Sequence, residues 1–157
     1  MRRLAKAFLI ISSLGYTSFL FYVYAYFADQ PRIYVRFLNN ELSFTSNTLF
    51  YTGIIVPIIV VLVCVLLASV IDKQPVGVRL YLKHAKVKDQ LFNWSMGMAG
   101  IFNFFAAAVV SIVLFSNNEE GLTRTGYAPF LFIGVILLSV WIILLPVILF
   151  KNKQESH

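Results

Sequence analysis

Four long apolar runs, which contain no Asp, Glu, Lys, Arg or His, constrain this chain more than any other feature. They cover residues 7–27, 48–71, 91–115 and 127–150. A helix needs ~20 apolar residues to cross a bilayer. Hydrophobic residues make up 59% of the chain, against ~45–50% in soluble domains. The sequence therefore predicts an all-α integral membrane protein, with four transmembrane helices in a single domain, residues 1–157.

Basic residues are unevenly distributed among the segments that flank these four spans. The N-terminal segment, the second connection and the C-terminal tail carry ten Lys and Arg residues, whereas the first and third connections carry three. Because short cytoplasmic loops are enriched in Lys and Arg, both termini are predicted to lie on the cytoplasmic side (N-in, C-in). The net charge of +6 is thus explained by topology and does not indicate nucleic-acid binding.

The first outer connection, residues 32–46, alternates apolar and polar side chains on either side of Asn39–Asn40. Such alternation around a turn predicts a short β-hairpin, and Asn tolerates the positive φ of tight turns. A lone hairpin is marginally stable in water, so we expect it to rest on the membrane surface or on a partner. The predicted opposed pairs are Phe37 with Leu42 and Val35 with Phe44.

Two polar surfaces outside the spans are candidates for docking. One is the polar face of the predicted outer hairpin. The other lies within residues 78–90, where apolar residues at helical spacing oppose a basic face. This pattern predicts a short amphipathic helix among anionic lipid headgroups; the alternative is an inward continuation of the third span. The candidate docking residues are Arg32, Tyr34 and Arg36 outside, and Arg79, Lys83 and Lys86 inside.

Small and amide side chains recur at steps of three and four along the third span. Such residues let helix backbones approach closely within a membrane. The seam is therefore predicted to pack against another helix, and the alternative is a groove for a ligand or an ion. Hydroxyl and small residues of the first span, such as Ser12 and Ser13, are candidates for the matching surface. The seam consists of Asn93, Gly97, Gly100, Asn103 and Ala107.

Two tryptophans and two prolines lie within the predicted spans. Trp94 lies near the inner end of the third span, where Trp is commonly an interfacial anchor. Trp141 falls near the middle of the fourth span, and we expect it to pack against a neighbouring helix or a partner. Pro57 and Pro146 predict kinks in the second and fourth spans, because proline removes a helical hydrogen bond.

Residues that normally carry catalysis are absent from the spans. Acid–base and redox sites within a bilayer depend on ionisable side chains, and the spans contain none. The chain has no HExxH, Walker or CxxC motif, and its single cysteine, Cys64, allows neither an internal disulfide nor a cysteine zinc site. We therefore expect no enzymatic activity, no cofactor and no metal site.

The stretch Pro31-Arg32-Ile33-Tyr34-Val35-Arg36-Phe37-Leu38-Asn39 resembles the outer segment of the small bacterial DUF1648 and SdpI-like membrane proteins. The likeness covers about thirty residues, and the part that matches the family's motif is this stretch. Arg36 stands where that family commonly has His, and the Gly that follows in the family is missing. The resemblance implies a location in the bacterial inner membrane and little about biochemical activity.

Two classes of function fit these features. The first is a non-catalytic accessory or scaffold subunit that binds other integral membrane subunits in a larger complex. We expect its contacts in the first or third span and in residues 32–46. The alternative is a small transporter, channel or lipid-handling protein that uses an intramembrane groove between helices, lined by Asn93 and Asn103.

Overall fold

The computed structural model describes residues 2–30, 32–37, 40–77, 85–117 and 128–154. Four helices and one hairpin account for most of them. In chain order the elements are α1 (Arg2–Tyr26), β1 (Ile33–Phe37), β2 (Asn40–Phe44), α2 (Ser46–Lys73), α3 (Ala85–Ser116) and α4 (Ala128–Gln154).

Each helix covers one of the four apolar runs to within one residue, and all four helices are long and apolar enough to cross a membrane. Most helix ends reach past the apolar run into polar sequence, because backbone hydrogen bonding does not stop at the last apolar side chain. The extension is largest in α3, which begins six residues before its run and includes Lys86 in its first turn. Residues 78–84 of the predicted amphipathic helix, with Arg79 and Lys83, lie outside the described residues.

Helix α3 lies at the centre of the bundle and packs against α1, α2 and α4, and its C-terminal end contacts β1. About 39% of its apolar span is buried, against 17% for α1 and α2 and 6% for α4. This central position explains why the small and amide residues concentrate in the third span. A helix with three neighbours needs close approach on more than one face.

The hairpin forms, but its register differs from the prediction by two residues. Val35 pairs with Leu42 and Ile33 pairs with Phe44, whereas Phe37 pairs with Asn40. Asn40 therefore belongs to β2, and the prediction of a turn at Asn39–Asn40 was wrong. A shift of two residues leaves every side chain on its original face, because the strand period is two. The apolar pattern alone could not separate the two registers.

The apolar face of the hairpin rests on the helices of the same chain. Ile33 is fully buried, as is Phe27 just after α1, and both pack in a cluster with Val110 and Val113 of α3. Val35 is half-buried beside this cluster. Burying this apolar surface stabilises a hairpin that would be marginal alone.

Candidate functional site

The two glycines of the α3 seam face different helices. At Gly97, a Cβ atom would collide with the Trp141 ring of α4, and at Gly100 it would collide with the Phe8 ring of α1. Each glycine thus provides space for an aromatic ring. The Phe8 ring also stacks on Phe104, with centroids 5.9 Å apart.

Trp94 and Trp141 join α3 to α4 through a reciprocal pair of hydrogen bonds. The Trp94 indole Nε1 donates to the Trp141 backbone carbonyl at 2.7 Å, and the Trp141 Nε1 donates to the Trp94 carbonyl at 3.0 Å. Trp94 therefore bonds to a helix within the bundle. Trp141 packs against the neighbouring α3, which is one of the two placements that its sequence position suggested.

Asn103 and Ser95 supply the buried polar contacts of α3. The Asn103 Nδ2 donates to Ser12 Oγ at 3.3 Å and to Ser13 Oγ at 2.9 Å on α1. On the α2 side, the Ser95 hydroxyl donates to the Cys64 carbonyl at 2.7 Å. Ser95 and Asn103 are almost completely buried, where unpaired polar groups are costly. These bonds fix the register of α3 against both neighbours.

The remaining seam residues have different surroundings. Ala107 packs beside the buried cluster that includes Tyr16 and Val110, and its carbonyl accepts a hydrogen bond from Ser111. The Oδ1 atom of Asn93 is buried and has no hydrogen-bond partner in the described part of the protein. Asn93 and Asn103 therefore differ in role, and only Asn103 bonds across to α1.

Tyr16 and Gly53 join α1 to α2 at a position that the sequence analysis missed. Pro57 has no N–H, so the carbonyl four residues earlier, that of Gly53, loses its helical donor. The Tyr16 hydroxyl replaces that donor at 2.6 Å. A Cβ on Gly53 would lie 2.8 Å from Leu20 Cδ1, so glycine permits the approach. Pro57 signalled a free carbonyl, but the sequence did not show which side chain would reach it.

Charged residues join three helices at the predicted cytoplasmic end. Arg2 of α1 donates to Asp72 of α2 at 2.6 Å through Nη1, and to Asp89 of α3 at 2.8 Å through Nε. Lys88 also donates to the Gln74 carbonyl at 3.1 Å. The hydrogen bond from Arg2 holds the pKa of Asp72 below its ordinary value.

At the predicted outer end, the Asn117 side-chain amide holds β1 against the end of α3. Its Oδ1 accepts from the Tyr34 backbone N–H at 2.9 Å, and its Nδ2 donates to the Tyr34 carbonyl at 2.7 Å. The same Nδ2 also donates to the Val113 carbonyl at 2.9 Å. The Asn117 amide thus pairs with both the N–H and the carbonyl of Tyr34, as the backbone of a neighbouring strand would. Nothing in the local sequence distinguished Asn117 from other polar loop residues.

The candidate docking residues are only partly within the described side chains. Arg32 just before β1 and Tyr34 within β1 are exposed, and Lys86 is exposed at the start of α3. For Arg36 the structure describes only the backbone, which pairs with Glu41. Of the outer candidates, Arg32 and Tyr34 are thus exposed, and the Tyr34 backbone is held by Asn117.

Comparison of the chain with protein-family models, curated proteins and solved structures returns no match. The resemblance to DUF1648 and SdpI-like proteins therefore stays a prediction. Among the described residues, no three His, Cys, Asp or Glu side chains are grouped so as to hold a metal ion. The geometry that the structure does contain consists of interhelical contacts centred on α3.

Proposed function

We propose that this chain is a multi-pass protein of the bacterial inner membrane with both termini in the cytoplasm. Two observations support the proposal. Four helices have the length and composition of membrane spans, and Lys and Arg are concentrated in the segments assigned to the cytoplasm. The Arg2, Asp72 and Asp89 cluster lies at that same end of the bundle, where water and headgroups solvate charge.

Within that membrane, the protein acts as a non-catalytic accessory or scaffold subunit that binds the transmembrane helices of other subunits. The exposure of α4 is the observation that carries this proposal. Only 6% of its apolar span is buried, and its main contact is with α3. The other three helices each have at least two neighbours. A partner helix would give α4 the second neighbour that it lacks.

The exposed side of α4 has the residue spacing of a helix-packing surface. Its exposed stripe advances in steps of three and four, which is the pattern of left-handed helix pairs in membranes. The side chains are between 51% and 69% exposed. Their branched and aromatic shapes suit knobs-into-holes packing. The stripe consists of Phe132, Ile136, Val140, Ile143, Val147 and Phe150.

The enclosure of α3 changes where partner contacts are expected. The sequence suggested the first or third span, yet α3 already packs against three helices of its own chain. We therefore place the main partner contact on α4. The exposed hairpin residues Arg32 and Tyr34 provide a second contact outside the membrane, where a charge and a phenol can recognise a polar surface.

A photoreactive amino acid at Ile143 tests this proposal in native membranes. Ile143 on the stripe is 60% exposed, and Ile59 of α2, 55% exposed, is the matched control. We expect a cross-link of one discrete mass to a protein from position 143, and lipid adducts alone from position 59. The cross-linked partner should also co-migrate at a fixed ratio with the wild-type protein in mild detergent.

Liposomes that contain only the purified protein provide a second test of the proposed function. We expect no solute flux, because the spans offer no ionisable group for coupled transport. Robust flux from the isolated protein, together with lipid adducts alone at Ile143, would favour the transporter or channel alternative. Equal protein cross-linking at Ile143 and Ile59 would show that α4 has no special role.

A further inference from the structure

A cavity of about 610 Å³ lies between α1 and α2, with α3 at its back. Tyr16, Pro57 and Val61 form part of its wall, and the nearly buried Asn103 lines it from α3. Leu62, 54% exposed, also lines it, so the cavity opens towards the outside of the bundle. Its volume falls in the ~300–1,000 Å³ range of small-molecule sites.

The chemistry of the lining selects an uncharged, mainly apolar ligand. Among the described residues, no charged side chain lines the cavity, and most of the lining residues are aliphatic. A charged group would lose its hydration there without gaining a partner. The cavity lies level with the centre of the second and third spans, because Pro57 and Asn103 are near the middles of residues 48–71 and 91–115. In the proposed membrane, its opening faces hydrocarbon.

The hydrogen bonds around Asn103 define what polar group the ligand carries. Both donor positions of its amide nitrogen are used, one on Ser12 and one on Ser13. The Tyr16 proton is likewise used on the Gly53 carbonyl. Asn103 can therefore offer a ligand only its carbonyl oxygen, which is an acceptor. The lining also contains the hydroxyls of Ser13 and Thr17, which can donate or accept. A ligand hydroxyl can donate to Asn103 and accept from these groups, whereas an ester or an ether can only accept and leaves the Asn103 oxygen without a donor.

We propose that this cavity binds an uncharged lipid alcohol, a long hydrocarbon that bears a hydroxyl group. The hydrocarbon lies along the α2 wall between Pro57 and Val61, and the hydroxyl donates to Asn103 Oδ1. This site is separate from the α4 stripe and rests only on the membrane placement proposed above. Lipid binding can therefore fail while partner binding succeeds, and the reverse also holds.

Photolabelling of the purified protein in nanodiscs tests the site. The probes are a long-chain alcohol with a diazirine in its chain and the methyl ether of the same alcohol. We expect labelled peptides from α1 and α2, and about three-fold more labelling by the alcohol, the ratio expected for one hydrogen bond within a membrane. Equal labelling by the two probes would show ordinary lipid packing and overturn the proposal.

Two substitutions in α2 locate the labelling. Val61→Trp fills the cavity, whereas Ile59→Trp adds the same ring at an exposed position outside the lining. Val61→Trp should abolish the preference for the alcohol, and Ile59→Trp should retain it. An unchanged preference in Val61→Trp would overturn the assignment. Asn103→Leu should make labelling by the alcohol and by the ether equal. If this variant does not fold, the labelling ratio in the wild-type protein and the comparison of Val61→Trp with Ile59→Trp still test the proposal.

Discussion

Trp94 and Trp141 each donate the indole N–H to the other's backbone carbonyl, at 2.7 and 3.0 Å. The pair therefore connects α3 and α4 through two bonds that run in opposite directions. Gly97 lies directly against the Trp141 ring, so one glycine and two tryptophans form a single unit. This unit is a principal polar connection of α4, whose outer surface is largely exposed.

Gly97→Ala and Gly100→Ala should differ in their effect on stability. Both changes gain up to ~1 kcal/mol of helix propensity. At Gly97 the added methyl meets the Trp141 indole ring, whose N–H is bonded to the Trp94 carbonyl, so overpacking should cost ~1–3 kcal/mol. At Gly100 it meets Phe8, which is 37% exposed and can turn outwards. Thermal unfolding in mild detergent measures the difference, and equal melting temperatures would contradict it.

Tyr16→Phe should destabilise the protein by ~1 kcal/mol, because the Gly53 carbonyl loses its donor. The cost should shrink in a Pro57→Ala background, since alanine at that position restores a helical N–H for the carbonyl. Detergent unfolding of the single and double variants measures the coupling between the two positions. Tyr22→Phe, at a 60% exposed site, is the control. Additive effects would exclude the proposed link to Pro57.

Asn117→Ala should release β1 from the end of α3. Amide hydrogen exchange should increase at Tyr34, whose N–H donates to the Asn117 side chain, while exchange in the middle of α3 stays slow. Asn117→Asp keeps an acceptor for Tyr34 and loses the two donated bonds, so its effect should be intermediate. Unchanged exchange at Tyr34 in Asn117→Ala would show that apolar packing alone holds the hairpin.

Acid should weaken the charged cluster at the end of α1. Because the folded-state pKa of Asp72 lies below its unfolded value, its stabilising contribution is present above pH ~4. That contribution decreases as pH falls through the folded pKa. Asp72→Asn should flatten the stability profile below pH ~4, and Arg2→Gln, which removes the guanidinium bonded to Asp72, should flatten it as well. A profile that Arg2→Gln leaves unchanged would exclude the Arg2–Asp72 pair as the cause.

Reporter fusions test the proposed topology. Fusions after Asn39 and Asn118 should report the outer side, and fusions after Lys83 and Asn152 should report the cytoplasm. The expectation follows from the concentration of Lys and Arg in the inner segments. A reversed signal at any one of the four positions would refute the N-in, C-in arrangement.

The sequence alone was sufficient for the number and approximate limits of the helices in the described part of the chain. Each apolar run corresponds to one helix, because a long segment free of charge in low-dielectric surroundings must satisfy its own backbone hydrogen bonds. The hairpin and its two faces also followed from local alternation. The register of the hairpin could not be predicted in this way. Pairings two residues apart, such as Val35 with Leu42 or with Phe44, place the same side chains on the same faces.

Only the tertiary structure decided which residues meet. The spacing of Gly97 and Gly100 indicated close packing, but it could not show that one faces Trp141 and the other Phe8. Likewise, Asn117 acquires its role from a strand more than 80 residues away in the chain. Local pattern depends on neighbours three or four residues apart, whereas these contacts depend on how whole helices are placed around α3. The sequence thus determined the elements, and packing around α3 determined their partners.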